Sequence, residues 1–533
     1  MPSKHRGRRR PSAGVYHPLM RYPNLRHGVP LFALIAAAGL LAGCGSSGTS
    51  GWSTGDNEKD IINEQLSTGE RAAAVERLWR SQADGDHAAA RESLKRIAWK
   101  ASNIQAVRLQ ALRLLLEDER DTNNADSRNM FRLMIAIEPD LEVVNFLATA
   151  AADRGWTEFG PPIVRSFARQ RPNRPDRDRP EFGALQRLFP SQPVERSVYA
   201  VFATPVTATG QERERQERAR LDAWALLARL DPDGSARMGF IAEPVPSDDA
   251  LVVNVRTIAA ELRCVPITAP QLRWLTELRN ESPQRGPDAA TRRQWWAQTR
   301  SAVSGLSPEQ VAGLQLRALE PIRWASLFKP EYLSLDRRGI ESTLTQRFAG
   351  RSTTQRVGAT FSGNAGNSER LQDNLRLLAW SDLLTILVID DVLRQPGLLE
   401  SFIKHAEDDR KDTSTEFGGL LISPADVPLG ETYQARLFAP RATERHGDER
   451  FVASDELFAA GPLALAHFHF HAQRVDNREF AGPGPGDLEF AQAHGRACLV
   501  ITPIGRSTLN IDYFQAGGAK VDLGDFAPAT SAK

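Results

Sequence analysis

Cysteine is scarce in this chain, with three in 533 residues: Cys44, Cys264 and Cys498. They lie far apart, so no disulfide framework is indicated. A surplus of charge is also missing, since 67 basic side chains face 66 acidic ones and leave a net charge of +1. Nothing in that balance calls for a nucleic-acid partner. The apolar run from Leu31 to Leu41 is too short to span a bilayer comfortably. What the chain has is length: enough for three or four domains, each able to bury a substantial core.

The first thirty residues are basic and free of acid, with Lys4, Arg6, Arg8, Arg9, Arg10, Arg21 and Arg26. Followed by the short apolar run, they have the order of an export signal. The run ends in Leu41-Ala42-Gly43-Cys44, which resembles a bacterial lipobox. That resemblance implies cleavage before Cys44 and a diacyl (palmitate-type) lipid on its thiol. The basic region is long, and a start at Met20 leaves a more ordinary signal. An uncleaved anchor helix is the other reading. The glycine and serine residues after Cys44 make a flexible tether, so the mature protein is expected to hang from a membrane on the periplasmic or cell-surface side without crossing it.

From about Asp56 to Gln170 the pattern is helical. Ile104, Val107, Ala111, Leu114 and Leu115 recur at the three-and-four spacing that lines one helix face, with Arg108, Gln110 and Arg113 assigned to the other. Short amphipathic helices in series are similar to HEAT-type repeats, and equally to a helical domain of no repeat family. The Arg/Pro/Asp run of residues 171–180 excludes regular ladders and reads as a solvated linker. Between residues 181 and 349 a strand-like segment, Ser197 to Phe202, precedes long helices, and Ser307-Pro308-Glu309-Gln310 is a helix start with a capping box. Trp274, Trp295 and Trp296 are expected to pack between helices, with carbohydrate contact as the alternative. A Gly/Ser/Thr-rich stretch, residues 350–370, marks the last boundary, followed by a buried helix over Leu383 to Leu393 and another over Leu398 to Ala406.

The chemistry concentrates near the C-terminus. Leu465-Ala466-His467-Phe468-His469-Phe470-His471 reads as a strand, and because side chains alternate with a period of two, His467, His469 and His471 share one face. Adjacent neutral imidazoles suit a divalent ion, and Asp487, arriving from a helix start after Gly482-Pro483-Gly484-Pro485-Gly486, completes a three-ligand set with a position open for water. A chance His-x-His or a hydrogen-bonded pair at a sheet edge is the alternative. Upstream, Glu416 leads into a Gly418-Gly419 strand start. Downstream come a helical segment to His494, the apolar strand Ala497 to Thr502, and Ile511 to Phe514.

The order Glu416, His469-x-His471, Asp487 resembles the JAMM/MPN-type metalloprotease family, the JAB domain. The resemblance covers roughly the last 150 residues and implies an α/β fold with a mixed sheet, zinc on His469, His471 and Asp487, and Glu416 as general base. Three features depart from the pattern. Ala472 stands where the family has proline, Gly484 stands where a serine hydroxyl supports the oxyanion, and the segment from His471 to Asp487 is longer than usual. Losing one oxyanion donor costs on the order of 3 kcal/mol, unless a backbone N–H of the glycine-rich turn replaces it. His467, about 7 Å along the strand from His469, is expected to stay off the metal.

The expected organisation is therefore a signal peptide over 1–43, a tether over 44–56 and a helical domain over 57–170. A linker over 171–180, a mostly helical middle domain over 181–349 and a second linker over 350–370 follow. A JAB-like metal-site domain over 371–526 and a tail over 527–533 end the chain. Three functions fit: an exported, membrane-anchored zinc peptidase or isopeptidase, an inactive JAB-fold binding or scaffold lipoprotein with a protein or peptide partner, or a metal-binding surface without family link.

Overall fold

The computed structural model describes residues 53–81, 88–118, 125–171, 174–232, 234–243, 247–354, 368–438, 440–445, 447 and 451–528. The signal-like segment, Cys44 and most of the glycine-rich stretch at 355–367 lie outside the described residues. Helices follow one another from Asn57–Ile62 to Leu398–Asp409, and a six-stranded mixed sheet closes the chain. The protein is thus a mainly helical region joined to a C-terminal α/β unit. The main apolar core draws on residues from Ile61 to Leu523, and two small clusters, around Leu420 and around Val500, flank it in the sheet region.

Periodicity predicts the helix Gln105–Glu117, where Val107, Ala111, Leu112 and Leu115 are buried. Arg108 corrects the expectation that it faces solvent. It is buried, donates to the Ala98 carbonyl at 2.9 Å and forks onto Glu138, one arm at 3.0 Å. A paired guanidinium can occupy an inward position that periodicity assigns to a polar face. Ser197 to Phe202 is also corrected, because it lies within the helix Val194–Ala203. Val198, Tyr199 and Phe202 point into the core at helical spacing, so tertiary packing overrides the β-branched and aromatic preference. In residues 171–180 the solvated reading fails at Arg179. Its guanidinium is buried and donates to the carbonyls of Ser166, Phe167 and Arg169 and to Glu181.

The middle helices hold the sheet directly. Trp274 on Ala269–Leu278 donates its indole N–H to the Pro462 carbonyl at 2.9 Å, and the Arg496 guanidinium stacks 3.3 Å from its ring centroid. Trp295 is buried and donates to Glu320, which together with Arg323 and Tyr433 forms a hydrogen-bonded knot between helices and sheet. The capping box at Ser307 and Gln310 is present. The expected buried helix is Trp380–Leu393, and thirteen of its fourteen residues are inside, which explains its near-continuous apolar sequence. Its buried acids are paired: Asp382 with Arg317, and Asp390 with Arg347 and Arg351. Cys264 and Cys498 are free and buried.

The strands are β1 (Gly418–Ile422), β2 (Gln434–Leu437), β3 (Ala466–Phe470), β4 (Cys498–Pro503), β5 (Leu509–Phe514) and β6 (Lys520–Phe526), in the order β2-β1-β3-β4-β5-β6. Only β3 and β4 run parallel, and the helix Pro485–His494 lies in the crossover between them. Alternation along β3 decides which residues meet which layer. Phe468 and Phe470 pack against Phe402 of the helix Leu398–Asp409, with ring centroids 5.1 and 6.1 Å away. The histidines face the other side.

Candidate metal centre

β3 is central, with all five residues buried, so its register is fixed by neighbours on both sides. Gly418 pairs with His469, and neither glycine of β1 has room for a side chain. A Cβ on Gly418 would stand 2.6 Å from the Phe451 ring, and one on Gly419 would stand 2.1 Å from the Arg436 carbonyl oxygen. The Phe451 ring in turn stacks parallel to His469 at 6.4 Å, with the Phe514 edge 6.0 Å away on another side. These rings confine the imidazole.

His471 continues the line of β3, held by its N–H on the Ile501 carbonyl at 3.1 Å. Its Nδ1 faces the Phe480 carbonyl oxygen at 2.7 Å. A carbonyl only accepts, so Nδ1 carries the proton and the Nε2 lone pair is turned into the site. There His469 Nε2 and His471 Nε2 stand 3.3 Å apart. Asp487 Oδ1 lies 3.1 Å from His469 Nε2, and Asp487 Oδ2 lies 3.6 Å from His471 Nε2. Glu416, also buried, places Oε1 3.6 Å from His471 Nε2.

Two triads share the histidine pair. Ligand atoms of Glu416, His469 and His471 lie within 4.8 Å of one another, while Asp487 reaches the pair with both oxygens, Oδ1 toward His469 and Oδ2 toward His471. A tetrahedral zinc with bonds of about 2.0 Å has ligand-to-ligand edges of about 3.3 Å. Two imidazoles and a carboxylate fit zinc by donor type, and both Asp487 and Glu416 stand where a carboxylate completes the set.

Asp487 sits in the first turn of the helix Pro485–His494, where the helix N-terminus favours an anion. Its carboxylate accepts the Gly484 N–H at 2.7 Å. Burial works against its charge, but the adjacent imidazoles of His469 and then His471 outweigh that and hold the carboxyl well below the usual range. The Gly484 N–H, one of the backbone donors expected to replace the serine, is thus engaged by Asp487. Glu416 is held by its chain neighbour, since the Phe417 N–H donates to Asp409 Oδ1 at 2.7 Å.

The structure brings together Glu416, His469, His471 and Asp487, with Gly484 at the cap. His467 stays apart: both ring nitrogens are buried without hydrogen-bond partners among the described residues, between the rings of Phe458 and Phe490. Burial first, then Arg496 and His494, drives its pKa far down and keeps it neutral. The Phe480 carbonyl and the Phe451 ring escape sequence reasoning. A backbone acceptor has no residue-type signature, and Phe451 reaches His469 from a separate loop.

Comparison with protein-family models, curated proteins and solved structures finds no match for this chain.

Proposed function

We propose that the chain is a zinc-dependent peptidase or isopeptidase of the JAMM type, with a JAB-like C-terminal unit on a helical, HEAT-like scaffold. The observation that carries this is the triangle His469, His471 and Asp487 with Glu416 at 3.6 Å from His471. A zinc ion held by that triangle supplies Lewis acidity that lowers the pKa of a water and polarises a carbonyl. Glu416, buried at the edge of the site, takes the proton of the attacking water and returns it to the departing amine. His471, fixed by the Phe480 carbonyl, keeps its acceptor nitrogen aimed inward. Asp487 stays ionised through its capping contact and the two imidazoles.

The test is metal content and turnover together. Purified protein is expected to hold about one zinc equivalent, lost in His469→Ala and Asp487→Ala, and Glu416→Gln is expected to keep zinc while abolishing hydrolysis of a broad peptide and isopeptide library. Full activity of Glu416→Gln would remove the base from the mechanism. One observation favours a second reading, an inactive JAB-fold binding lipoprotein: Gly484 offers no hydroxyl and its N–H is engaged by Asp487. A zinc-loaded protein that cleaves nothing supports that reading.

The lipobox-like Leu41-Ala42-Gly43-Cys44 supports a location at the cell envelope for either activity, with envelope proteins or cell-wall peptides as partners. Cys44→Ser is expected to move the protein out of the membrane fraction, since acyl chains supply about 0.8 kcal/mol per buried CH₂ and the tether nothing comparable. Unchanged fractionation would defeat the anchor.

A further inference from the structure

A second group of bare polar atoms lies on the same face of the sheet as the histidines. One cross-strand row runs Gly418, His469, Val500, Asp512, Asp522, so Asp512 stands two strands from the metal ligand, about 10 Å away. Asn510 and its partner Thr502 occupy the next row on that face. Thr502, Asn510 and Asp512 are completely buried, and Asp522 is 7 % exposed.

Their acceptors outnumber their donors. Asp522 Oδ2, Asn510 Oδ1 and Thr502 Oγ1 have no hydrogen-bond partner among the described residues, and the Asp512 carboxylate is met by a single neutral donor, the Gly482 backbone N–H. Asp522 Oδ1 is used, accepting from Asn510 at 3.0 Å and from the Gly524 N–H at 2.8 Å, and this fixes the pair's orientation. Of the nearby charges, Glu369 is neutralised by Lys520 at 3.1 Å. Two facing carboxylates therefore remain without a counter-charge. Burying them that way is costly unless a cation or protons compensate.

We propose that Asp512, Asp522, Asn510 and Thr502 form a binding site for a hard divalent cation, calcium in particular. Every bare atom is an oxygen, which suits calcium and magnesium and not zinc. Magnesium keeps several of its waters, whereas calcium accepts an irregular set of protein oxygens, as a site this enclosed requires. The site goes beyond the zinc reading and does not depend on it. It also has a structural consequence. Gly482, with φ +77° and Glu369 2.5 Å from where its Cβ would be, donates its N–H to Asp512 and lies in the loop between His471 and Asp487. A cation there would order the loop that delivers Asp487.

The experiment uses the full chain, stripped with EDTA, dialysed free of chelator at pH 8 and titrated with calcium chloride or magnesium chloride by calorimetry. Calcium is expected to bind at about one equivalent, to slow amide exchange across residues 476–484, and to bind undiminished in His469→Ala. Asp512→Asn is expected to lose calcium, and Thr502→Val, the milder change, to bind it at least about fivefold more weakly. No calcium uptake, undiminished uptake in both variants, or uptake lost in His469→Ala would each overturn the proposal. Binding of magnesium without calcium would overturn the choice of ion.

Discussion

Gly484→Ser separates stability, metal and rate at one position. Gly484 is the N-cap of the helix Pro485–His494, with φ −81° and ψ 176°, extended backbone that any residue adopts. The only neighbour a Cβ would meet is Asp487 Oδ2 at 3.5 Å, an ordinary contact. No strain is expected. Serine caps a helix better than glycine by a few tenths of a kcal/mol, and its stiffer unfolded chain adds about 0.4–1 kcal/mol. The sum is a stabilisation of about 0.5–1.5 kcal/mol, read as a raised urea midpoint at unchanged slope. Zinc content should not change, because the N–H to Asp487 survives the substitution. If the glycine is what limits peptidase chemistry, the new hydroxyl restores an oxyanion donor and raises kcat, by up to about a hundredfold. A fall in stability of more than about 1 kcal/mol, or loss of zinc, would refute the cap geometry. A stable, zinc-loaded variant of unaltered rate would refute the oxyanion argument.

Gly419→Ala is expected to destabilise by about 1–3 kcal/mol in urea melts, because its Cβ would lie 2.1 Å from the Arg436 carbonyl on the paired strand; a neutral result would mean that β1 and β2 are further apart. His467→Leu should keep its zinc, measured by atomic absorption, and gain up to about 1 kcal/mol, since it removes two buried nitrogens that lack partners. Loss of zinc there would shift the ligand register by two residues. The acid pair predicts a pH signature in chelator. Burial and then Asp525 and Glu369 push Asp522 up to about 7, against the Gly524 N–H, while burial, Asp522 and Glu369 raise Asp512 against Lys520. Below about pH 4 both folded and unfolded states hold these protons and nothing is lost. Between about pH 4 and 7 the unfolded chain releases them first, so stability falls. The advantage of Asp522→Asn over the parent chain should therefore grow through that window and level off above it, and an advantage flat with pH would remove the pair from the titration.

Local signals carried much of the architecture. The alternation of His467 to His471 with Phe468 and Phe470 determined which side chains lie on the histidine face of the sheet and which face Phe402, because a strand's period admits no other division. The continuous apolar run at Leu383 determined a buried helix, and the proline and glycine residues before Asp487 determined a helix start carrying a carboxylate. The resemblance to the JAMM order made Glu416 a candidate, but its distance from His471 belongs to the β1–β3 register, which sequence order does not contain. Where inward positions carry charge, pattern misled: Arg108 and Arg179 read as solvent-facing and are buried, since their cost is met by Glu138 for the first and by Glu181 and the carbonyls of Phe167 and Arg169 for the second. Only the tertiary structure decided that Phe480 lends a carbonyl to His471. It alone aligned Asp512 and Asp522 in one row with His469, because cross-strand neighbours are chosen by pairing between segments and not by residue type.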